Sequence, residues 1–236
     1  MSKGLSRRSF LAAAAAVVPA AVVRAAGGAG ERISVGVIGT GDRGRGTHIP
    51  ILAQLKERYN VQVTAVCDVW KVNLEKGAGQ VREAFGVEPR AFSRFEDLLA
   101  LKDVDAVTIA TCDSAHTPIM IAALKAGKDV YVEKPMSLSV EEATEALDLA
   151  RKHERVVQVG TQHRSNGVYM AARDVLATGV LGTISRVTAA RNFNHARWAR
   201  AFEDCQAKDV DWEGYLFNQE KRPFDPKLLR RWHLYG

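Results

Sequence analysis

Short apolar runs alternate with stretches of helical composition between residues 33 and 160. The apolar runs predict buried strands over 33–38, 61–67, 104–110, 129–132 and 156–159. The stretches between them predict helices over 46–59, 73–85, 95–101, 117–125 and 140–153, and the last of these begins after Ser139 with Glu142 in the capping-box position. Strands that alternate with helices at this spacing predict an α/β fold with a doubly wound parallel sheet.

The pattern changes after residue 160. It predicts a helix over 168–177, a turn at Gly182 and one long strand over 183–193, followed by a segment rich in aromatic and polar residues. A lone strand of that length leaves its edges unpaired and one face uncovered. We therefore expect one complete domain over 32–162 and an incomplete second domain over 163–236, with the sequence truncated before that domain is finished.

Residues 1–26 have the composition of a secretory signal. A basic start leads into the apolar run 10–23 and then into small residues. The pair Arg7 and Arg8 ahead of this run matches the twin-arginine type, which predicts export by the twin-arginine machinery to the periplasm or beyond. A membrane anchor is the alternative, but a span needs roughly 20 apolar residues. Cleavage after Ala25 or Ala26 fits the short run better.

The net charge of +6 does not indicate a nucleic-acid partner. Four of the 33 basic residues lie in the leader, which has no acidic residue, so the rest of the chain carries only +2. No stripe of basic and aromatic residues remains to bind nucleic acid. The cysteines Cys67, Cys112 and Cys205 show no metal-binding spacing, so we expect no metal site. Cys67 and Cys112 are expected to be small core residues at strand ends.

A glycine-rich turn follows the first predicted strand. It reads Gly39-Thr40-Gly41-Asp42-Arg43-Gly44 and fits G-x-G-x-x-G between a strand and a helix. Gly39 permits a tight turn, Gly41 lets the backbone approach a pyrophosphate, and Gly44 allows the helix to pack closely on the strand. Free N–H groups at the helix N-terminus face the phosphates. These six residues are predicted to bind a dinucleotide in a Rossmann domain, the alternative being a glycine-rich surface turn.

Asp68 ends the second predicted strand. A carboxylate there can accept hydrogen bonds from ribose hydroxyls, and it repels a 2′-phosphate. The sequence therefore favours NAD over NADP, although Lys71 lies close enough to weaken the argument. A helix N-cap is the alternative role for Asp68, and the two roles are compatible.

Two further motifs carry a family resemblance. One is Thr111-Cys112-Asp113-Ser114-Ala115-His116, and the other is Gly127-Lys128-Asp129-Val130-Tyr131-Val132-Glu133-Lys134-Pro135. With the glycine turn, they resemble the glucose–fructose oxidoreductase, inositol dehydrogenase and rhizopine-catabolism (Gfo/Idh/MocA) family. Gly160-Thr161-Gln162-His163-Arg164 is similar as well. The resemblance implies that the second domain is α+β, with a large, mostly antiparallel sheet that covers the nicotinamide.

The same resemblance assigns roles to single residues. Lys134 is implied to be the catalytic lysine that contacts the sugar or cyclitol hydroxyl losing hydride, and Glu133 to contact the nicotinamide side of the coenzyme. Thr111, His116 and Gln162 are implied to lie near the coenzyme, with a helix cap as the alternative for His116. Pro135 is often cis in this family. Lys128, by contrast, is expected to be a solvated lysine.

The chain departs from the family at the second domain, which usually supplies a partner Asp and His. No such segment is found, and His195 and His233 lie in a different context. The expected function is oxidation of a sugar or cyclitol by NAD. Alternatives are an NAD-dependent glycosidase, whose known examples lack the lysine of Glu-Lys-Pro, or a nucleotide-binding fragment without turnover. The sequence leaves the oligomeric state open, a homo-oligomer included.

Overall fold

A six-stranded parallel sheet lies at the centre of the computed structural model, which describes residues 32–190, 200–217 and 219–234. The strands are β1 Ile33–Ile38, β2 Val61–Cys67, β3 Arg90–Phe92, β4 Ala106–Ile109, β5 Asp129–Glu133 and β6 Val157–Gly160. Their spatial order is β3-β2-β1-β4-β5-β6, and every neighbouring pair is parallel. From β1 the chain adds strands toward one edge of the sheet, and from β4 it adds them toward the other edge. This switch in strand order opens a crevice at the carboxyl ends of β1 and β4.

Helices cover both faces of this sheet. They are α1 Ile49–Tyr59, α2 Lys71–Phe85, α3 Phe95–Leu99, α4 Asp113–Lys125 and α5 Val140–Lys152. A further helix, α6 Gly167–Ala177, follows β6. A π-helical turn, Gly44–His48, precedes α1. Near the C-terminus lie α7 Trp212–Leu216, α8 Pro226–Arg230 and the 3₁₀ turns Ala207–Asp209 and Trp232–Leu234.

The core has one layer on each side of the sheet. On one side, Met120 and Leu124 of α4 pack with Ile109 of β4. On the other side, Val81 of α2 packs with Val37 of β1. All five side chains are buried, and each contributes about 1.5–3 kcal/mol by leaving water. The continuous apolar runs in the sequence are explained by this burial on both faces.

Local signals place several helix ends correctly. Ser139 Oγ accepts a hydrogen bond of 3.2 Å from the backbone N–H of Glu142, which confirms the predicted N-cap of α5. Asn60 and Gly86, which end α1 and α2, take the left-handed conformation. Helix α4 begins at Asp113, four residues before the predicted start at 117, so residues 113–116 are helical.

Two expectations from the sequence are wrong, and one short strand was not predicted. Residues 183–190 of the predicted strand 183–193 form no strand, and 191–193 lie outside the described residues. The three-residue strand β3 was not predicted because so short a run shows no periodicity. Lys128 is buried, and its Nζ donates to the carbonyls of Leu101 at 2.6 Å and Val104 at 2.7 Å.

The described residues of 200–234 form a segment that we call the C-terminal strap. It runs along the carboxyl edge of the sheet, where Asp211 N–H donates to Val69 O at 2.8 Å. The Phe217 ring meets the Phe95 ring edge to face, with centroids 5.2 Å apart. The Arg230 guanidinium lies 4.7 Å from the centroid of the Trp70 ring. These three contacts place the strap at the carboxyl ends of β2 and β3.

Helix α6 has no buried residue, and its apolar side chains Val168, Tyr169 and Val175 are exposed. Among the helices that the structure describes, none combines the length and apolar character needed to cross a bilayer.

Candidate active site

A cavity of about 1530 Å³ lies at the carboxyl edge of the sheet, beneath the strap. The glycine turn, the ends of β2, β4, β5 and β6, and the strap all contribute to its wall. Ten residues that the sequence predicted for the site line this cavity: Gly39, Gly41, Asp42, Arg43, Asp68, Thr111, His116, Glu133, Lys134 and Gln162. The other two, Thr40 and Gly44, are buried behind the wall.

The glycine turn has the close contacts that its spacing predicted. Gly39 has φ +91°, and a Cβ there would lie 2.5 Å from the Ala110 carbonyl oxygen. A Cβ on Gly44 would lie 2.0 Å from the Gly39 carbonyl oxygen. At Gly41, by contrast, the nearest protein atom to a Cβ is Asn73 Nδ2 at 3.7 Å. The first and third glycines are thus needed by the fold, and the second leaves space on the cavity side for a ligand.

Asp68 joins the glycine turn to the end of β2. Its Oδ2 accepts from the Thr40 backbone N–H at 2.8 Å, and its Oδ1 accepts from the Trp70 N–H at 2.9 Å. Burial raises the pKa of Asp68 to about 6, even though both N–H groups and the charge of Arg45 lower it. The Thr40 hydroxyl also lies 3.3 Å from Oδ2, so the lone pair that remains is on Oδ1. Both the predicted contact with a ribose and the bond to the start of α2 are compatible with this geometry.

Glu133 is the centre of a hydrogen-bonded cluster at the end of β5. Arg43 Nε donates to its Oε1 at 2.7 Å, and His48 Nε2 lies 3.1 Å from the same oxygen. Gln162 Nε2 donates to Oε2 at 3.0 Å. Burial by itself would raise the pKa of Glu133, but the bonds from His48, Arg43 and Gln162 outweigh it and lower the pKa to about 2. Glu133 is therefore a carboxylate at any physiological pH.

Lys134 follows Glu133 and has an exposed side chain that lines the cavity. Its peptide bond to Pro135 is cis, as the family resemblance led us to expect. Asp113, at the start of α4, is half-buried in the same wall. Burial raises the pKa of Asp113, while the charges of His116 and Lys134 lower it. Asp113 is therefore an acidic neighbour of Lys134, and the sequence had assigned it no role.

His116 lies inside α4 and is 1% exposed, so the alternative role as a helix cap is wrong. Its Nδ1 lies 2.7 Å from the Pro135 carbonyl oxygen. A carbonyl only accepts, so Nδ1 carries the hydrogen and the neutral ring has an acceptor at Nε2. Nε2 is buried without a partner among the described residues. It is an acceptor without a partner in a residue that lines the cavity.

Sequence reasoning missed the part of the site that comes from distant segments. His48 contacts Glu133 across 85 residues, and no short motif signals such a pair. Trp212, Tyr215 and Arg230 of the strap line the cavity, whereas the sequence placed them in a separate substrate domain. Their aromatic character was visible, but their position depends on how the strap crosses the sheet edge.

These features fit a dinucleotide coenzyme. Gly41 leaves room at the predicted pyrophosphate position, Asp68 presents acceptors at the end of β2, and His116 Nε2 is an unpaired acceptor further along the wall. Within the described ranges, no group of three or more His, Cys, Asp or Glu side chains is arranged to hold a metal ion. Cys67 is buried in the core as expected, whereas Cys112 is only partly buried. Both cysteines line the cavity.

Comparison with known proteins identifies relatives that share this architecture. Inositol 2-dehydrogenase of Salmonella typhimurium is 28% identical over 194 residues, which are 80% of this chain and 55% of that protein. A glycosyl hydrolase family 109 protein of Saccharopolyspora erythraea is 36% identical over 129 residues, which are 53% of this chain and 27% of that protein. The chain thus spans about half the length, or less, of these relatives.

Solved structures give the same fold. The crystal structure of myo-inositol 2-dehydrogenase from Lactobacillus plantarum matches with a TM-score of 0.57 and 25% identity, over 65% of this chain and 43% of that chain. KijD10, a 3-ketoreductase from Actinomadura kijaniata crystallised with NADP, matches with a TM-score of 0.56 and 28% identity, over 64% of this chain and 46% of that chain. The model of the Gfo/Idh/MocA oxidoreductase family, described by its NAD-binding Rossmann fold, matches residues 33–161, so the chain belongs to that family.

Proposed function

We propose that the protein is an NAD-dependent oxidoreductase that acts on a hydroxyl group of a sugar or cyclitol. The observation that carries the proposal is the position of Lys134, whose side chain lines the same cavity as the glycine turn and Asp68. In open α/β sheets, ligands bind at the carboxyl ends of the strands, at the point where the strand order switches from one side to the other. Similarity to inositol 2-dehydrogenases supports the substrate class.

In this proposal, some side chains of the cavity bind the coenzyme and another transfers a proton. Gly39–Gly44 and Asp68 would hold the pyrophosphate and ribose, and bound NAD would supply the hydride acceptor. Lys134 Nζ would hydrogen-bond the substrate hydroxyl and exchange its proton. Glu133, held ionised by its three donors, is not a proton donor in this scheme. The positive charge of Lys134 favours the ionised form of Asp113, against the effect of burial.

An assay of the purified chain with NAD tests this function. We expect myo-inositol or a related polyol to produce reduced nicotinamide. Release of nitrophenol from a nitrophenyl N-acetylgalactosaminide, without oxidation of free polyols, would instead favour the glycosidase alternative. Binding of NAD with neither reaction would make the chain a nucleotide-binding protein without turnover.

We also propose that NAD is preferred over NADP. The support is the carboxyl of Asp68, whose charge repels a 2′-phosphate. The KijD10 relative was crystallised with NADP, so the family does not decide the matter. Calorimetry with both coenzymes tests the preference, and Asp68→Ala should narrow it. Equal or tighter binding of NADP by the unaltered protein would refute it.

Residues 1–26, which lie outside the described residues, are proposed to be a twin-arginine leader that directs the protein to the periplasm or beyond. The support is the Arg7–Arg8 pair ahead of a short apolar run. Changing both arginines to lysine should leave the protein in the cytoplasm with its leader attached. Unchanged export would indicate the general secretory route.

A further inference from the structure

Among the described residues, the side chain of His48 makes one polar contact, and that contact is to Glu133. Glu133 is a carboxylate and can only accept, so His48 Nε2 carries the hydrogen of their 3.1 Å bond. In the neutral ring Nδ1 is then an acceptor, and it has no partner among the described residues. The ring is 6% exposed and meets Tyr131 edge-on at 5.3 Å.

Stability alone does not explain this arrangement. A buried acceptor without a partner and a buried carboxylate both oppose folding, and an apolar cluster of the same volume is often at least as stable. What the arrangement does provide is a fixed carboxylate. Arg43 and His48 come from the π-helical turn region, Gln162 follows β6, and all three hold Glu133 from different directions.

The held carboxylate in turn contacts the next residue. The Lys134 backbone N–H lies 3.3 Å from Glu133 Oε2, so one oxygen is shared between Gln162 and the backbone that carries Lys134. His48 and Arg43 hold the other oxygen. The position of the Lys134 backbone thus depends on the orientation of the Glu133 carboxylate.

We propose that His48 is a positioning residue: together with Arg43 it fixes the Glu133 carboxylate and through it places Lys134 at the cavity wall. This inference rests on the proposed function for its effect on turnover. It links the turn predicted to hold the pyrophosphate to the strand end predicted to carry the chemistry. A single rigid unit therefore spans the two ends of the predicted coenzyme site.

Two variants separate the hydrogen bond from the packing of the ring. His48→Gln retains an N–H donor of similar reach, and His48→Met fills a similar volume without one. His153→Met is the control, because His153 follows α5 and does not line the cavity. All measurements use the full chain.

The first measurement is amide hydrogen exchange at Lys134, followed by NMR. His48→Met should speed exchange at this amide by about tenfold, the effect of losing one bond to a charged group. His48→Gln should stay within about threefold of the parent, and His153→Met should have no effect. This measurement does not depend on any enzymatic activity.

The second measurement is the urea midpoint as a function of pH. Glu133, whose pKa lies below its ordinary value of 4.5, stabilises the fold above that value and loses this contribution as the pH falls toward about 2. Arg43 and His48 are the ionisable side chains bonded to Glu133, and Lys134 follows it in the chain. Burial and the charge of Glu133 raise the pKa of nearby Tyr131. His48→Met weakens the stabilisation, so its cost should be larger near about pH 5 than near about pH 3.

Turnover gives the third measurement. With NAD and myo-inositol as probes, His48→Met should lower kcat by about tenfold or more and leave both KM values within about threefold, with recovery in His48→Gln. If the parent shows no turnover, the proposed function fails while the exchange and pH results still test the placement. Exchange at Lys134 and a urea midpoint that respond alike in His48→Met and His48→Gln would overturn the inference.

Discussion

At the scale of single residues, Asp68 has a carboxyl whose ionisation the fold opposes. Its pKa is raised to about 6 because burial outweighs the N–H groups of Trp70 and Thr40. A carboxyl whose pKa is higher in the folded chain than its ordinary value of 3.8 takes up a proton on folding. Its contribution to stability is present below about pH 4 and is lost as the pH rises through about 6.

Asp68→Asn should remove this pH dependence. The free energy of unfolding of the parent, minus that of the variant, should fall by at most about 3 kcal/mol between about pH 4 and pH 7. A constant offset is also expected, because an amide has one oxygen and cannot accept from both backbone N–H groups. Urea unfolding at several pH values measures the difference. A difference that does not vary with pH would show that Asp68 ionises freely in the folded chain.

Lys134 should matter for chemistry and not for coenzyme affinity. Lys134→Ala should lower turnover by about 10²–10⁴-fold, the usual effect of losing a positioned acid or base. NAD affinity should change little, because the pyrophosphate is predicted to bind at Gly39–Gly44. Lys134→Arg should fail as well, since a guanidinium does not release its proton near neutral pH. Steady-state kinetics and calorimetry check both parts, and near-parental turnover in Lys134→Ala would remove this lysine from the mechanism.

At the scale of elements, the glycine turn and the π-helical turn Gly44–His48 form a unit whose two internal glycines differ sharply. A Cβ on Gly44 would lie 2.0 Å from a backbone oxygen, whereas a Cβ on Gly46 would meet no atom within 4 Å. Neither residue has a positive φ. The two positions therefore offer the same substitution with and without a steric conflict.

Gly44→Ala should destabilise the chain by about 2 kcal/mol or more and abolish NAD binding, because backbone must move to admit the methyl group. Gly46→Ala should be neutral or stabilising by up to about 1 kcal/mol, since alanine favours the helix. Thermal unfolding and calorimetry on the two variants provide the comparison. If Gly44→Ala changed stability and NAD affinity as little as Gly46→Ala, the turn would be able to admit the Gly44 methyl group by a small shift.

Elements determined by local sequence could be predicted, and those determined by distant contacts could not. The Ser139 cap and the Gly39 turn depend on neighbours within a few residues, and both are found. Lys128 was misjudged because its two carbonyl partners lie 24 and 27 residues away. The cluster around Glu133 was missed for the same reason, since a carboxylate in a strand-end motif does not indicate which donors the fold will bring to it.

At the scale of the whole molecule, the strap limits the access of solvent to the cavity, because it forms part of the cavity wall. It contacts the sheet edge through Asp211, Phe217 and Arg230, at the ends of β2 and β3 where the adenosine half of a dinucleotide is expected. Sequence composition predicted a change of character after residue 160. It did not predict that part of this segment would lie over the first domain.

Loosening the strap should speed coenzyme release. Arg230→Ala removes the contact with the Trp70 ring and the bond to the Ala201 carbonyl, so the NAD dissociation rate should rise by a few-fold to about tenfold. Stopped-flow displacement of bound NAD measures the rate. Arg173→Ala, which removes a surface pair on α6, is the control and should leave the rate unchanged. An equal rate in Arg230→Ala and the parent would show that the strap does not limit release.

If bound NAD leaves only when the strap moves away from the sheet edge, its residence time would be long compared with a catalytic cycle. It would then act as a prosthetic group, reduced by one substrate and reoxidised by a second before it dissociates. Such an enzyme shows ping-pong kinetics in its two substrates, and added NAD does not raise its rate once the site is filled. The contacts that hold the strap on the sheet edge, through Asp211, Phe217 and Arg230, would thus help to set whether the protein consumes NAD as a substrate or keeps it.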